Sequence, residues 1–221
     1  MNAGLLITLA FFTWLMAGIT IDYIPYNTDV GFLRIKQQYI GIDQWRIAFF
    51  IHVYASIWVL LAGFTQFSAR IQRHNPKLHR AMGYIYAADI LLITGPAGLL
   101  MGFYANGGLL SRIAFVLLAV LWIYFTAMAL IKAKQKDFKA HRHYMIRSYA
   151  LTLSALTLRA WKYVITNAYH IDPNWVFPPM DVYRVVAWLG WVVNIVVAEY
   201  IIIRSKTKRV GKIRSQGAGI G

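Results

Sequence analysis

The chain has 221 residues, of which 59% are hydrophobic and 14% are charged, whereas a soluble domain carries charge on about a quarter of its residues. This composition indicates a protein that folds in lipid. Because the sequence has no cysteine, disulfides and thiolate or iron–sulfur metal sites are excluded. A formal net charge of +15 would suggest a nucleic-acid partner for a soluble protein, so the positions of the charges have to be considered.

Six apolar stretches are long enough to cross a bilayer, which takes about 20 residues per helix. In chain order they are Ala3–Ile21, Ile47–Ala69, Ala81–Phe103, Arg112–Lys132, Tyr144–Asn167 and Asp181–Ile203. No Lys or Arg precedes the first stretch, and a signal peptide has a positive start, so we expect this stretch to be retained. The sequence thus predicts an all-α membrane bundle of six helices in residues 1–203, followed by a basic, disordered tail in residues 204–221.

The basic residues fall mostly on one side of this topology. Three regions hold most of them: the connection after the second stretch, the connection after the fourth stretch, and the tail. Since Lys and Arg collect in cytoplasmic loops, both termini are predicted to face the cytoplasm. The same basic face would attract anionic lipid head groups, and we expect no nucleic-acid partner.

Polar residues form a stripe along the second stretch. At about 100° per residue, a sector of roughly 60° contains His52, Val59, Gly63, Gln66 and Arg70. Gly63 would allow a neighbouring helix or a flat ligand to approach the backbone. Two interpretations stay open: a packed interface whose polar residues are satisfied, or a face that lines a ligand or cofactor site.

Ionisable residues inside the spans are functional candidates by default. Asp89 and Glu199 both fall in the inner half of the predicted bundle, where they can pair with Arg147 as structural ion pairs. Arg159 lies about two turns from the outer end, and no acid is near it in this topology. We therefore expect Arg159 to share an outer polar cavity with His52, or else to have a structural partner.

A His-Arg pair opens two of the inward spans. "LHRAMGYIYA" begins with His79-Arg80 and "AHRHYMIRSYA" begins with His141-Arg142, so both histidines are expected at equal depth near the cytoplasmic border. Two such imidazoles can be the axial ligands of a b-type haem, with Arg80, Arg142 and Arg147 holding its carboxylates. Contact with lipid phosphate and plain border structure are the alternatives.

These residues, together with the run "MIRSYALTLSALTLR", carry a family resemblance over about residues 48–165. The chain resembles an uncharacterised bacterial family of multi-pass membrane proteins, domain of unknown function 2306. The resemblance implies a protein of the bacterial cytoplasmic (inner) membrane and supplies no activity. A fainter similarity to transmembrane b-type cytochromes implies haem. Those proteins need four ligands, and here the outer half offers only His52 within a span, with His170 in a loop, so we expect one inner haem at most.

Three functions follow as hypotheses, and an enzymatic reaction is not indicated either way. The first is membrane electron transfer through a haem at His79 and His141, with a quinone or similar small apolar ligand nearby. The second is a scaffold or binding protein whose polar seam holds a lipid, quinone or anionic ligand; the seam comprises His52, Gly63, Gln66, Asp89 and Arg159. The third is a proton-linked transporter that uses Asp89, His52 and Glu199. Pro96 predicts an irregularity in the third span.

Overall fold

The computed structural model describes residues 3–168 and 178–217, and every regular element in these two ranges is helical. The elements are α1 (Ala3–Ile21), a 3-10 turn (Gly31–Ile35), α2 (Gln37–Ile40), α3 (Asp43–Gln66), α4 (Ala69–His74), α5 (Pro76–Asp89), a π turn (Ile90–Thr94), α6 (Gly95–Phe103), α7 (Leu109–Lys134), α8 (Phe138–Thr152), α9 (Ser154–Asn167) and α10 (Pro179–Gly217). The predicted fold class, an all-α membrane protein, is confirmed at this level.

Four helical stretches are long and apolar enough to cross a bilayer: Asp43–Gly63, Pro76–Phe103, Leu109–Lys134 and Pro179–Ser205. They correspond to the second, third, fourth and sixth predicted spans. The first predicted span is a helix whose described apolar part, Ala10–Ile21, is shorter. Six complete spans, and the side of the membrane on which each terminus lies, stay predictions.

The fifth predicted span is divided into two helices, α8 and α9, which meet at Leu153. Hydroxyl groups on both sides of the junction donate to carbonyls of the preceding turn. Thr152 donates to Ser148 O at 3.2 Å, and Thr157 donates to Leu153 O at 3.1 Å. Such back-bonding slightly destabilises and often bends a helix, so the hydroxyl residues that make this segment polar also account for its interruption.

The third span is interrupted by the π turn between α5 and α6. Proline has no backbone N–H and its ring crowds the preceding turn, so an ordinary helical hydrogen bond is missing at Pro96. Just before it, the N–H of Gly95 reaches back five residues to the carbonyl of Ile90. The irregularity that the sequence predicted here therefore takes the form of one widened turn, a feature that is frequent at functional sites.

The central core lies where α3, α5, α7, α8 and α10 pack together. Val59 of α3, Tyr86 of α5, Ile90 of the π turn and Leu151 of α8 are buried there. α1 packs on the outside of α3, where Met16 meets Leu60. The chain thus places the polar residues of α3, α5 and α8 around one interior, which is where the candidate site lies.

The last helix is longer than the sequence indicated. Residues 204–217, which were expected to be a disordered tail, continue α10, and residues 218–221 lie outside the described residues. Lys and Arg have good helix propensity. Extending an existing helix also avoids the unfavourable nucleation step, which explains how a polar segment can stay helical beyond an apolar span.

Candidate functional site

One end of the bundle, called the histidine end below, carries His79 near the start of α5 and His141 near the start of α8. Both helix starts are capped. Asn75 accepts a hydrogen bond from the N–H of Leu78 at 3.0 Å, and Asp137 accepts one from Ala140 at 3.0 Å. Because caps of this kind fix where a helix begins, each histidine is held about one turn inside its helix.

The imidazoles of His79 and His141 lie near each other although they belong to different helices. Their side chains are close enough to interact electrostatically. His141 Nδ1 is 2.8 Å from the carbonyl of Ala129; since a carbonyl only accepts, this nitrogen carries the hydrogen and Nε2 keeps its lone pair. His79 Nδ1 is buried without a hydrogen-bond partner, while the backbone carbonyl of His79 accepts from Gln66 Nε2 at 3.1 Å.

The three arginines predicted beside this pair differ in their surroundings. Arg147 makes two hydrogen bonds with Glu199, one of them at 2.8 Å from Nη2 to Oε2. The ion pair expected between these two helices is therefore present, and it leaves Arg147 engaged. Arg80 and Arg142 are exposed, so they are the arginines available to a ligand at this end.

The inner part of the predicted seam on α3 is occupied by protein contacts. A Cβ on Gly63 would collide with the ring of Tyr149, so this glycine admits an aromatic side chain of α8. Gln66 is buried and donates to Thr65 Oγ1 and to the carbonyl of His79, both at 3.1 Å. These two residues thus help to assemble the histidine end.

The outer part of the seam is more open. His52 Nδ1 is 2.9 Å from the carbonyl of Thr94 in the π turn, and its ring covers Gly98. Arg159 is exposed and donates to Ala155 O of its own helix at 2.7 Å. The guanidinium of Arg159 is within electrostatic range of His52, and an outer polar cavity shared by the two residues stays a prediction.

Asp89 is the remaining predicted residue and lies at the junction of α5 and the π turn. It is 8% exposed, and its Oδ1 has no hydrogen-bond partner. Thr94, five residues further on, donates its hydroxyl to the backbone carbonyl of Asp89 at 3.3 Å. The sequence favoured a structural ion pair for Asp89, and in the described part of the chain this carboxyl makes none.

A buried hydroxyl network was missed at the level of the sequence. The hydroxyl of Tyr86 is 2.8 Å from Ser148 Oγ and 2.7 Å from Thr152 Oγ1, while Trp122 Nε1 donates to Thr152 at 3.0 Å and Thr126 lies 2.7 Å from Ser148. Every one of these residues is buried. The signal that could have revealed the network is the recurrence of Ser and Thr on α8 at helical spacing.

A second missed feature lies at the opposite end, called the lysine end below. Lys36 is 1% exposed. Its Nζ donates to the carbonyl of Tyr104 and lies 4.6 Å, 5.7 Å and 6.0 Å from the ring centroids of Tyr39, Phe32 and Trp45. Burial, and secondarily the charge of Arg112, lowers the pKa of Lys36 to about 8. The clue in the sequence was a lysine within a segment rich in aromatic residues, with Phe32, Tyr39 and Trp45 close to it in the chain.

Two cavities open at the lysine end. One, of about 320 Å³, lies between the α2 region and the start of α7 and includes Tyr39, Asn106 and Arg112 in its lining. The other, of about 420 Å³, lies beside Tyr26 and Arg46. Neither is lined by a residue of the predicted haem site or seam. Within the described ranges no group of three or more His, Asp or Glu side chains is placed to hold a metal ion, and His170 lies outside those ranges.

Comparison with known protein families finds one match that covers more than half of the chain. A family model described as "Predicted membrane protein (DUF2306)" matches residues 49–202, which includes most of α3, all of α4 to α9 and more than half of α10. Neither the curated proteins nor the solved structures contain a match to this chain.

Proposed function

This chain belongs to the DUF2306 family of predicted membrane proteins, and from the residues of the histidine end we propose that it binds one b-type haem and acts in membrane electron transfer. The ligands would be His79 of α5 and His141 of α8. The observation that carries the proposal is that these two imidazoles, each in the first turn of a separate helix, lie within electrostatic range of each other.

The donor set fits a haem with two imidazole ligands. The bond from His141 Nδ1 to the carbonyl of Ala129 is the kind of outer contact that orients a metal-binding histidine and leaves Nε2 free. Among the residues that the structure describes, buried His79 Nδ1 has no hydrogen-bond partner, and leaving such a group unpaired costs roughly 1–3 kcal/mol. A metal bond or a hydrogen bond to a ligand would offset that cost.

The exposed arginines complete the proposed site. Arg80 and Arg142 directly follow the two histidines and can hold carboxylates by charge-assisted hydrogen bonds. Arg147 contributes less to that role, because Glu199 already engages its guanidinium. A haem ligated in this way supplies reversible one-electron transfer whose potential depends on its axial ligands and surroundings.

The test is the absorption spectrum of protein purified from cells that are supplied with haem. We expect a Soret band, and visible bands that sharpen on reduction, to be lost in His79→Ala and in His141→Ala. His74→Ala is the matched control, because His74 is exposed and its Nδ1 contacts the carbonyl of Arg70 in its own helix, α4. A colourless wild-type protein, or a spectrum unchanged in both ligand variants, would refute the proposal.

A second candidate is supported by the outer residues. Arg159 is exposed in the apolar part of the chain, with a hydrogen bond only to its own helix and with His52 nearby. A ligand with an apolar body and an anionic head, such as a lipid, would compensate this charge. Lipid that co-purifies and is detected by native mass spectrometry should decrease in Arg159→Ala and persist in Lys162→Ala, whose side chain is also exposed. Equal lipid occupancy in the two variants would exclude this site.

Anionic head groups are also proposed as partners of the histidine end. Its border presents exposed cations in two connections, with a contribution of about 1 kcal/mol each near a charged surface. They are Arg70, Arg73, Lys77, Arg80, Lys134, Lys136, Lys139 and Arg142. Binding of the reconstituted protein to phosphatidylglycerol should fall as salt is raised, because these interactions are screened.

A further inference from the structure

Four acidic residues lie within the helical stretches that are long and apolar enough to span a membrane, and three of them are neutralised by an arginine. The pairs are Asp43 with Arg46 at 2.6 Å, Asp181 with Arg184 at 2.8 Å, and Glu199 with Arg147. Asp89 is the fourth, and among the described residues it has no such partner. Its environment therefore requires a separate explanation.

The position of Asp89 would make an isolated negative charge costly. The residue is 8% exposed, and its Oδ1 atom is buried without any hydrogen-bond partner. It ends α5 at the π turn, 13 residues inside a 28-residue apolar stretch, Pro76–Phe103. A carboxyl group at such a depth is expensive in its charged form and is a functional candidate by default, so it needs a bound proton or another cation.

Thr94 connects Asp89 to a second titratable residue. The Thr94 hydroxyl donates to the backbone carbonyl of Asp89, and the Thr94 carbonyl accepts from His52 Nδ1 at 2.9 Å. Because a carbonyl cannot donate, His52 Nδ1 carries the hydrogen in the neutral ring and Nε2 remains the basic nitrogen. Thr94 thus contacts both the backbone of Asp89, which has no ion-pair partner among the described residues, and the ring of His52, whose Nε2 is basic.

Few other titratable groups face this region from the helices that pack against it. α6 carries none, and α7 has only Tyr124 between Arg112 and Lys132; Tyr124 is about half exposed and packs on Phe125 and Tyr144. On α5 itself, the hydroxyl of Tyr86 is already engaged with Ser148 and Thr152. On α3, His52 is the titratable residue that contacts the π turn, and Arg159 of α9 is a charged group within electrostatic range of His52.

We propose that Asp89 is a proton-binding site inside the membrane domain and that His52, linked to it through Thr94, is the group with which it exchanges its proton. On release, a carboxyl oxygen of Asp89 loses the proton and becomes a carboxylate, while His52 Nε2 gains the proton and becomes a cation. The half-buried position of His52 on the outer part of α3 provides the contact with the exterior. This proposal goes beyond the proposed haem site and does not depend on it.

The experiment is infrared difference spectroscopy of the full chain in lipid nanodiscs as the pH is changed. We expect a carbonyl stretch from a protonated carboxyl group at neutral pH, a shift of that band with [4-13C]aspartate labelling, and its loss in Asp89→Asn. Asp22→Asn is the matched control, since Asp22 is exposed, and should keep the band. His52→Gln should keep the band and slow its exchange in heavy water.

Each result decides the matter. The proposal is overturned if the band survives in Asp89→Asn, or if the titration midpoint follows the sodium concentration, since the site would then take a metal cation. If Asp89→Asn does not fold, the labelled wild-type protein still gives an answer. Glu199 is the one glutamate in the sequence, so a band that aspartate labelling does not shift would belong elsewhere, and the proposal would fail.

Discussion

The histidine end and the lysine end accommodate positive charge in different ways. At the histidine end, Arg147 is paired with Glu199, and the cations of the connections are exposed. At the lysine end, Lys36 is buried and has no acid within salt-bridge distance among the described residues, and a backbone carbonyl and three aromatic rings surround its ammonium group. The difference shows that a charge at the edge of this bundle can be held by an acid or by dipoles and ring faces.

The two solutions have different energetic consequences. Removing one member of a buried ion pair leaves the other uncompensated, which is strongly destabilising. A cation over ring faces gains roughly 0.5–2 kcal/mol, against which the cost of desolvating the ammonium has to be set. The paired end should therefore be sensitive to removal of its cation, and the lysine end should tolerate it.

The largest effect is expected for Arg147→Met, which leaves Glu199 without its partner among apolar side chains. Full burial would make the loss about 3–5 kcal/mol; because both side chains are partly exposed, at 22% and 38%, we expect about 2–3 kcal/mol. This loss of stability is measured as the change in the free energy of unfolding in mixed detergent micelles. In the double variant Arg147→Met with Glu199→Met most of the stability should return, and failure to recover would show that the pair is not the cause.

The next effect concerns the packing that assembles the histidine end. In Gly63→Ala the new methyl group would meet the ring of Tyr149, and relieving such a clash costs typically 1–3 kcal/mol. Gly18→Ala is the control, since nothing lies within 4 Å of the added Cβ; it should leave stability unchanged or slightly raised. Thermal unfolding followed by circular dichroism distinguishes the two. Equal shifts would mean that the contact with Tyr149 does not constrain this helix pair.

A smaller effect is expected from Tyr86→Phe, which removes one hydroxyl from the buried network. Ser148 and Thr152 each lose one hydrogen-bond partner and keep another, Thr126 and Trp122 respectively, so the loss of these two hydrogen bonds should cost about 1–2 kcal/mol. Tyr84→Phe on the exposed face of the same helix is the matched control. The free energies of unfolding of the two variants should differ by that amount, and identical values would show that the network is energetically neutral.

The smallest effect at neutral pH is expected for Lys36→Met, within about 1 kcal/mol of wild type, because a buried charge is replaced by an apolar side chain of similar length. Its pH dependence is more informative. The pKa of Lys36 is about 8 in the folded protein, compared with 10.5 for a free lysine. Between these values the unfolded chain binds more protons, so the folded state gains stability as the pH rises.

The measurement is the free energy of unfolding from pH 7 to pH 10.5 in both proteins. Wild type minus Lys36→Met should increase with pH, and the variant should lack this contribution. A difference that falls with pH would mean that Lys36 is held in its charged form by an acid or another favourable partner. The contrast between the two ends would then no longer hold.

Particular residues show how far the sequence reached into the site. The pairing of Arg147 with Glu199 was accessible, because the inner half of the predicted bundle contains few acids. In the sequence, Lys36 stands out only as a basic residue in a connection outside the three regions that hold most of the Lys and Arg. Its burial depends on Phe32, Tyr39 and Trp45 folding back around it together with the carbonyl of Tyr104, 68 residues later. Contacts that form when a connecting segment folds back on itself leave no periodic pattern in the sequence.

Asp89 illustrates the same limit within a span. Spacing alone allowed it to reach an arginine, and it was expected to form a structural ion pair. The π turn rotates the chain that follows it relative to α5, and Asp89, at the junction, has no basic partner among the residues that the structure describes. A shift of one residue in a helix moves a side chain by about 100°, which a regular helical projection does not anticipate.

By itself the sequence determined the lipid surroundings, the helical class and the positions of the long apolar helices, because hydrophobicity over about 20 residues is a local property. It also placed two His-Arg pairs near helix starts at comparable depth. Only the tertiary structure decided which polar groups lie near one another: His79 and His141, His52 and Thr94, and Lys36 and the surrounding aromatic rings. These spatial relations depend on the rotation of each helix, on the π turn and on the fold of the connection before α3. All three are set by packing between segments that are distant in the chain.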